Sequence, residues 1–267
     1  MSDPRPSFEL VPVPGTSQGW AREMVTAHHY LRKPPDVRSR PFVYLVAVQD
    51  VPVGCLFFGR TQSSSCFHGE LTFGSANDVA TGLAKFDRWE VLALSRLWLS
   101  PDVQANGCLC RPGIVPGFMD RKGKWRSALA SAVIRSALAV VGYHYLMAHP
   151  PCFLDQPYAI RAILSYCDLR LHRGTIYPAA GFRLSRTNLD GIQTWWTPDV
   201  AKLTAEQDLA VREHAVWHPR SVRIRNRDRT LFDQPGEADS DQVADNQRME
   251  RARRESILPP SCGSAER

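Results

Sequence analysis

An acid, an imidazole, a guanidinium and a phenol crowd into one short run of this 267-residue chain: Asp168, His172, Arg173 and Tyr177, with Gly174 among them and Gly181-Phe182 after them. A carboxylate can take a proton from an amine or hold a cation, and a phenol can return a proton to a leaving group. The apolar run 162–166 reads as a strand and 175–180 as a short helix. Asp168 then stands at a strand end, close to where ligands bind in open α/β folds. Such a layout suits group transfer. Each residue also has a plain role, since Asp168 can cap the turn that begins there and Tyr177 can pack in the core.

His28-His29-Tyr30 forms a second chemical group. Adjacent histidines point to different helix faces, so only one of them can join a given site. His29 with Tyr30 is the pair expected there. Arg96 lies in the apolar run 89–99 and needs a partner, because an unpaired buried cation is prohibitively expensive. Its expected partner is either an acid, Glu90 or Asp168, or an anionic ligand.

These groups need a frame. Pro4, Pro6, Pro12 and Pro14 make residues 1–16 an extended arm rather than an element. A helix starts near Ser17 and stops before Pro34-Pro35. Residues 42–48 and 53–58 form a hairpin around Gln49-Asp50-Val51-Pro52. The strand 89–99 leads through a long loop, 100–124, into a helix from Trp125 to about Val141 that ends at Gly142. Residues 143–157 fit either a helix or a strand. A closing hairpin pairs 182–184 with 193–196 around Asn188-Leu189-Asp190-Gly191. An amphipathic helix follows over 205–217.

The next residues carry Arg220, Arg223, Arg225, Arg227 and Arg229 at a strand-like period, which puts cations on one face. That face would meet DNA phosphates or serve as a solvated edge strand. The polar tail 234–267 has almost no aromatic residue and is expected to be disordered. The net charge of +6 favours an anionic partner. Seven cysteines, an odd number, read as reduced thiols in a cytoplasmic protein, and Cys108-Leu109-Cys110 has no second pair at zinc-ribbon spacing. No apolar run is long enough to span a membrane.

A hairpin, a central strand leading through a loop into a helix, and a Tyr-bearing short helix ending in Gly-Phe resemble the GCN5-related N-acetyltransferase fold over residues 17–198. The resemblance implies an α/β fold with a mixed central sheet flanked by helices, plus a basic C-terminal extension over 199–233. It implies acetyl-CoA, or another acyl-CoA, in a splay between the two central strands, with its pyrophosphate at a helix start. The usual glycine-rich phosphate loop is absent: Asn106-Gly107-Cys108 and the long insertion stand in its place, with Gly123-Lys124-Trp125-Arg126-Ser127 entering the helix, where Lys124, Arg126 and the helix dipole would neutralise the pyrophosphate.

A narrower resemblance is to the Mom DNA-modification proteins of bacteriophages. It rests on His29-Tyr30, on Leu94-Ser95-Arg96-Leu97-Trp98, and on Ser165-Tyr166-Cys167-Asp168 with His172-Arg173-Gly174-Thr175-Ile176-Tyr177 and Ala180-Gly181-Phe182. It implies that His29, Tyr30, Asp168 and Tyr177 line the reaction centre and that Arg96 and Ser127 contact the acyl-CoA. It implies conversion of adenine N6 in double-stranded DNA to a methylcarbamoyl form that protects a phage genome from restriction. It also makes iron on His29, Tyr30 and Asp168 worth testing. Extruding an adenine would need wedges, for which Trp195-Trp196, Tyr30 and Trp217 are available. Two rival readings are an N-acetyltransferase of a small amine or protein, and a non-catalytic DNA-binding module on a degenerate fold.

Overall fold

A computed structural model describes residues 8–63, 65–150 and 159–217. The arginine run from Arg220 to Arg229 and the tail 234–267 lie outside the described residues. In chain order the elements begin with β1 (Phe8–Val13), α1 (Gly19–His28), β2 (Phe42–Val48) and β3 (Val51–Arg60). An insert follows, made of β4 (Cys66–His68), β5 (Leu71–Gly74), α2 (Ala76–Ala80) and β6 (Phe86–Asp87). Then come β7 (Val91–Leu99), the hairpin β8 (Gly117–Met119) and β9 (Trp125–Ser127), α3 (Leu129–Leu138) and α4 (Val141–Ala148). β10 (Ala162–Asp168), α5 (Ile176–Ala179), β11 (Arg183–Thr187), β12 (Ile192–Thr197) and α6 (Ala205–Trp217) complete the fold.

Seven strands form one sheet in the order β1-β2-β3-β7-β10-β12-β11. Among the described residues of this sheet only β7 and β10 pair in parallel, joined by the helical crossover that parallel neighbours require. This is a mixed central sheet flanked by helices, the architecture that the resemblance implied. Strand alternation gives the sheet two apolar faces. Leu92, Leu94, Ile163, Tyr44 and Phe58 pack with α3 and α4 on one face, here the α3 face. On the other, the α1 face, Val43, Cys55 and Phe57 pack with Ala21 and Val25 of α1. The insert covers the rest of the α1 face, with Leu71, Phe73 and Phe86 against Leu164 and Trp196.

Three local expectations are corrected. The arm is not wholly without structure, because residues 8–13 pair antiparallel with β2. Pro12 is accommodated because β1 is an edge strand, where one missing N–H breaks no inner ladder. The hairpin turn is only Gln49-Asp50, whose φ angles of 51° and 61° give the left-handed pair that a two-residue turn demands. Pro52 is therefore part of β3, opposite Ala47 at a bulge.

The third correction matters most for function: the helix begins at Leu129, not Trp125. Trp125, Arg126 and Ser127 pair with Met119, Phe118 and Gly117 instead. Asp120 closes that hairpin by accepting the Lys122 and Lys124 amides, each at 2.9 Å. At the far end Ala139 and Val140 donate to carbonyls three residues back, which tightens and ends α3. The chain bends 62° into α4, and Gly142 lies inside α4 rather than at a helix exit. Among the described residues no single helix is long and apolar enough to cross a membrane.

Candidate active site at the parting of the central strands

The β7–β10 ladder stops early. Val91 to Leu94 pair with Ala162 to Ser165, and neither strand pairs with the other beyond that point. The strands part, and a cavity of about 200 Å³ opens between them, walled by Leu94 to Leu97 on one side and Ser165 to Cys167 on the other. Backbone groups that an unbroken parallel ladder would occupy are left for a ligand.

On the α3 face Tyr177 is held from three directions. Its ring stacks on Trp195 at 5.6 Å with planes 14° apart. Its hydroxyl is 3.1 Å from Ser165 Oγ and 3.2 Å from the Tyr166 carbonyl oxygen. Ser165 Oγ also lies 2.9 Å from the Leu94 carbonyl; Tyr177 donates to the Tyr166 carbonyl, which can only accept, and the Ser165 proton is shared between Leu94 and the Tyr177 oxygen. Burial pushes the phenol up to about 12, which keeps it protonated and able to donate. Gly174 lets α5 approach this closely. Its φ is +68°, and a Cβ there would stand 3.1 Å from Gln193 Oε1.

On the α1 face a bulge decides what reaches the cavity. β3 pairs Phe57 with Arg96 and Phe58 with Leu94, skipping Ser95. That extra residue shifts the alternation and puts Arg96 on the α1 face with Trp98. Arg96 Nε donates to the Lys33 carbonyl at 3.1 Å and Nη1 to the Ser95 carbonyl at 2.5 Å. Neither acid offered by the sequence pairs with it, since Glu90 binds Arg161 and Asp168 binds Arg170. Desolvation lowers the Arg96 pKa, and the nearby Tyr30 opposes that shift.

His29 follows α1 in extended conformation, and its ring lies 4.4 Å from that of Tyr30. Tyr30 in turn meets His172 edge-on at 5.0 Å. The Leu31 amide donates to His29 Nδ1 at 3.2 Å, which leaves the proton of the neutral ring on Nε2. Burial above all, then Arg96 and His172, lowers His29 to about 4. It is a neutral hydrogen-bond donor at physiological pH. Burial raises the Tyr30 phenol, with Arg96 opposing.

Asp168 ends β10 beside this cavity without lining it. Arg170 grips both of its carboxylate oxygens, at 2.9 and 2.7 Å, and the Arg170 amide adds a third bond at 3.0 Å. The first of these influences, the Arg170 side chain, holds the carboxyl below its ordinary range. The turn-capping role foreseen for Asp168 is therefore filled.

Lys124, Arg126 and Ser127 sit in or beside the β8–β9 hairpin, before α3 rather than within it. Lys124 bonds Asn106, Arg126 Nε binds Asp120 Oδ2 at 2.8 Å, and Ser127 Oγ accepts from the Leu129 amide at 3.3 Å. A groove runs past this point, lined by Arg126, Ser127 and Ser131 on one side and Arg173, Thr175 and Ile176 on the other. Arg173, Thr175 and Ile176 line the strand-parting cavity as well. A long ligand could therefore pass from the start of α3 to Tyr177.

The iron site that the resemblance made worth testing is not supported. Arg170 occupies the Asp168 carboxylate and a backbone amide occupies His29 Nδ1, so the three residues do not form a donor set. Among the described residues no group of three or more His, Cys, Asp or Glu side chains is placed to hold a metal ion. Sequence reasoning gave Ser165 and Tyr166 no role of their own and offered Trp195 only as a wedge, not as the support of Tyr177. Their types were visible, but nothing local signals that two strands part beside them.

No protein-family model matches the sequence. No curated protein matches it either. Solved structures similar to this chain include an aminoglycoside acetyltransferase AAC(6')-Ib in complex with coenzyme A and kanamycin, at 12% identity and TM-score 0.39 over 77% of this chain and 99% of that one. An acetyltransferase from Thermus thermophilus is 15% identical at TM-score 0.34, over 72% of this chain and 97% of its own. A CoA-dependent acyl-homoserine lactone synthase, BjaI, is 10% identical at TM-score 0.36, over 79% and 90%. TM-scores this low carry no argument about chemistry, and the strand order and the parting of β7 from β10 stand on their own geometry.

Proposed function

We propose that this protein transfers an acyl group from an acyl-CoA thioester to an amine, and that the amine is adenine N6 of double-stranded DNA, in the manner of a Mom-like modification enzyme. The single observation that carries the reading is the parting of β7 and β10 with the protonated Tyr177 hydroxyl at its fork. In this reading the pantetheine arm lies along the freed backbone groups of β7, and the diphosphate lies near the start of α3 beside Arg173. The amine attacks the thioester carbonyl carbon, the new C–N bond replaces C–S, and the nitrogen gives its proton to solvent water, which balances the proton that Tyr177 later takes back. Tyr177 protonates the departing sulfur and regains its proton from water.

His29 Nε2–H serves as a hydrogen-bond donor at the acceptor side, while Asp168, held by Arg170 beside the cavity, braces the turn that carries His172 and Arg173. The DNA acceptor is supported by charge: the chain carries +6 overall, and Arg96 and Arg173 line the cavity. The arginines from Arg220 to Arg229 extend the same preference along the chain. The proposed role is protection of a phage genome from restriction.

Nucleoside mass spectrometry of DNA from cells expressing the chain tests this. The expected result is an acylated deoxyadenosine that disappears with Tyr177→Phe. Unmodified DNA beside intact folded protein would overturn it. Acetyl-CoA turnover with small amines and unaltered DNA would move the acceptor to a small molecule.

A further inference from the structure

The insert between β3 and β7 walls a second cavity that the reaction described above does not use. This cavity, about 280 Å³, lies between the insert and the α1 face of β10, β12 and β11. Register fixes which side chains reach it. Tyr166 pairs with Thr194, and Thr194 with Arg186, so all three share one sheet face with Leu164. From the insert come Cys66, Phe67, Leu71 and Phe73. Tyr166 lines this cavity and the strand-parting cavity alike.

We propose that this second cavity receives one purine base of the acceptor DNA, turned out of its stack against the rings of Phe67 and Tyr166 and presented to the acyl group where β7 and β10 part. The inference rests on the DNA-acyltransfer reading and assigns that reading its acceptor pocket. Three observations support it. Phe67 and Tyr166 are each 47% exposed, an unfavourable state for large rings that a stacked base would relieve. The polar lining, with Thr194 and Arg186 among it, offers hydrogen-bond groups for a base edge and a cation for the adjoining phosphate. The position is the third. Tyr166 is a shared wall, so a base here stands one side chain away from the thioester. Burial raises the Tyr166 phenol most, Cys66 adds to the rise and Arg186 opposes it, which agrees with thiol and guanidinium lying close to that hydroxyl.

The test compares two duplexes differing at one position, an unpaired adenine in one and an abasic site in the other, by fluorescence anisotropy with the full chain. The intact protein should bind the adenine duplex on the order of tenfold more tightly, the worth of one stacked base. Phe67→Ala should erase that preference, Phe67→Trp should restore it, and Arg186→Ser should weaken binding of both duplexes with a shallower salt slope. Unchanged melting temperatures of the variants establish that they fold. Preference surviving in Phe67→Ala, or equal binding of the two duplexes by a protein that still makes modified deoxyadenosine, overturns the pocket and leaves the acyltransfer reading standing. Absence of both modified deoxyadenosine and duplex binding overturns the two together.

Discussion

The two faces of the central sheet handle their phenols in opposite ways. On the α3 face Tyr177 is locked by stacking on Trp195 and by two hydroxyl contacts, one of them to Ser165. On the α1 face Tyr30 and Tyr166 leave 38% and 47% of their surface open. One face preorganises a proton donor, and the other keeps apolar rings available to something that arrives. A group-transfer site needs this asymmetry, because its donor molecule can be held for the whole cycle while its acceptor must come and go.

The sharpest way to break the comparison is to remove the fixed phenol. Tyr177→Phe keeps the ring on Trp195 and deletes only the hydroxyl, so DNA acylation should fall by about 10²–10⁴ in kcat with little change in melting temperature. An unaltered rate would mean that the hydroxyl takes no part in the reaction. Next in size is the dry half of the strand pair below the fork. Leu92→Ala empties a fully buried position opposite Ile163 and should cost about 2–5 kcal/mol in denaturant unfolding. A smaller cost would show that the paired half can collapse and that it does not brace the fork.

Acidification probes the α1 face. The folded His29 titrates near 4 against an ordinary 6.5, so between those values the unfolded chain binds more protons. Stability is then full above pH 6.5 and is lost as pH falls through about 4. His149 shifts the same way, so replacing His29 with Gln should flatten the slope of melting temperature against pH only in part. A slope untouched by that change would show that His29 is not held neutral by its surroundings. The smallest effect belongs to Arg170→Ala on the exposed turn. It should release the Asp168 carboxyl upward toward its ordinary range, read by NMR titration, and leave the melting temperature nearly unchanged.

Much of the frame was legible from local pattern. The hairpin β2–β3, the strand β7, the strand β10 with α5 behind it, and α6 all follow from apolar periodicity and turn residues. β1 was missed because its prolines speak against a strand, and only an edge position tolerates them. The start of α3 was missed because Trp-Arg-Ser carries no signal that Gly117 to Met119 will pair with it.

The site divides along the same line. Residue types named His29, Tyr30, Arg96 and Tyr177, and the structure does bring them around one cavity. Asp168 was named as well, yet its carboxylate points its bonds at Arg170. The side of the sheet on which each residue acts was not legible, since a single bulged residue at Ser95 reverses the face of everything after it in β7.

Short-range chemistry thus settles which side chains this chain has to work with and which segments are strands or helices. Where the strands part, which face each group serves and which acid is already spoken for depend on pairings between residues far apart in the chain. Those pairings are set by burial and register across the whole sheet, and neither can be read from neighbours along the chain.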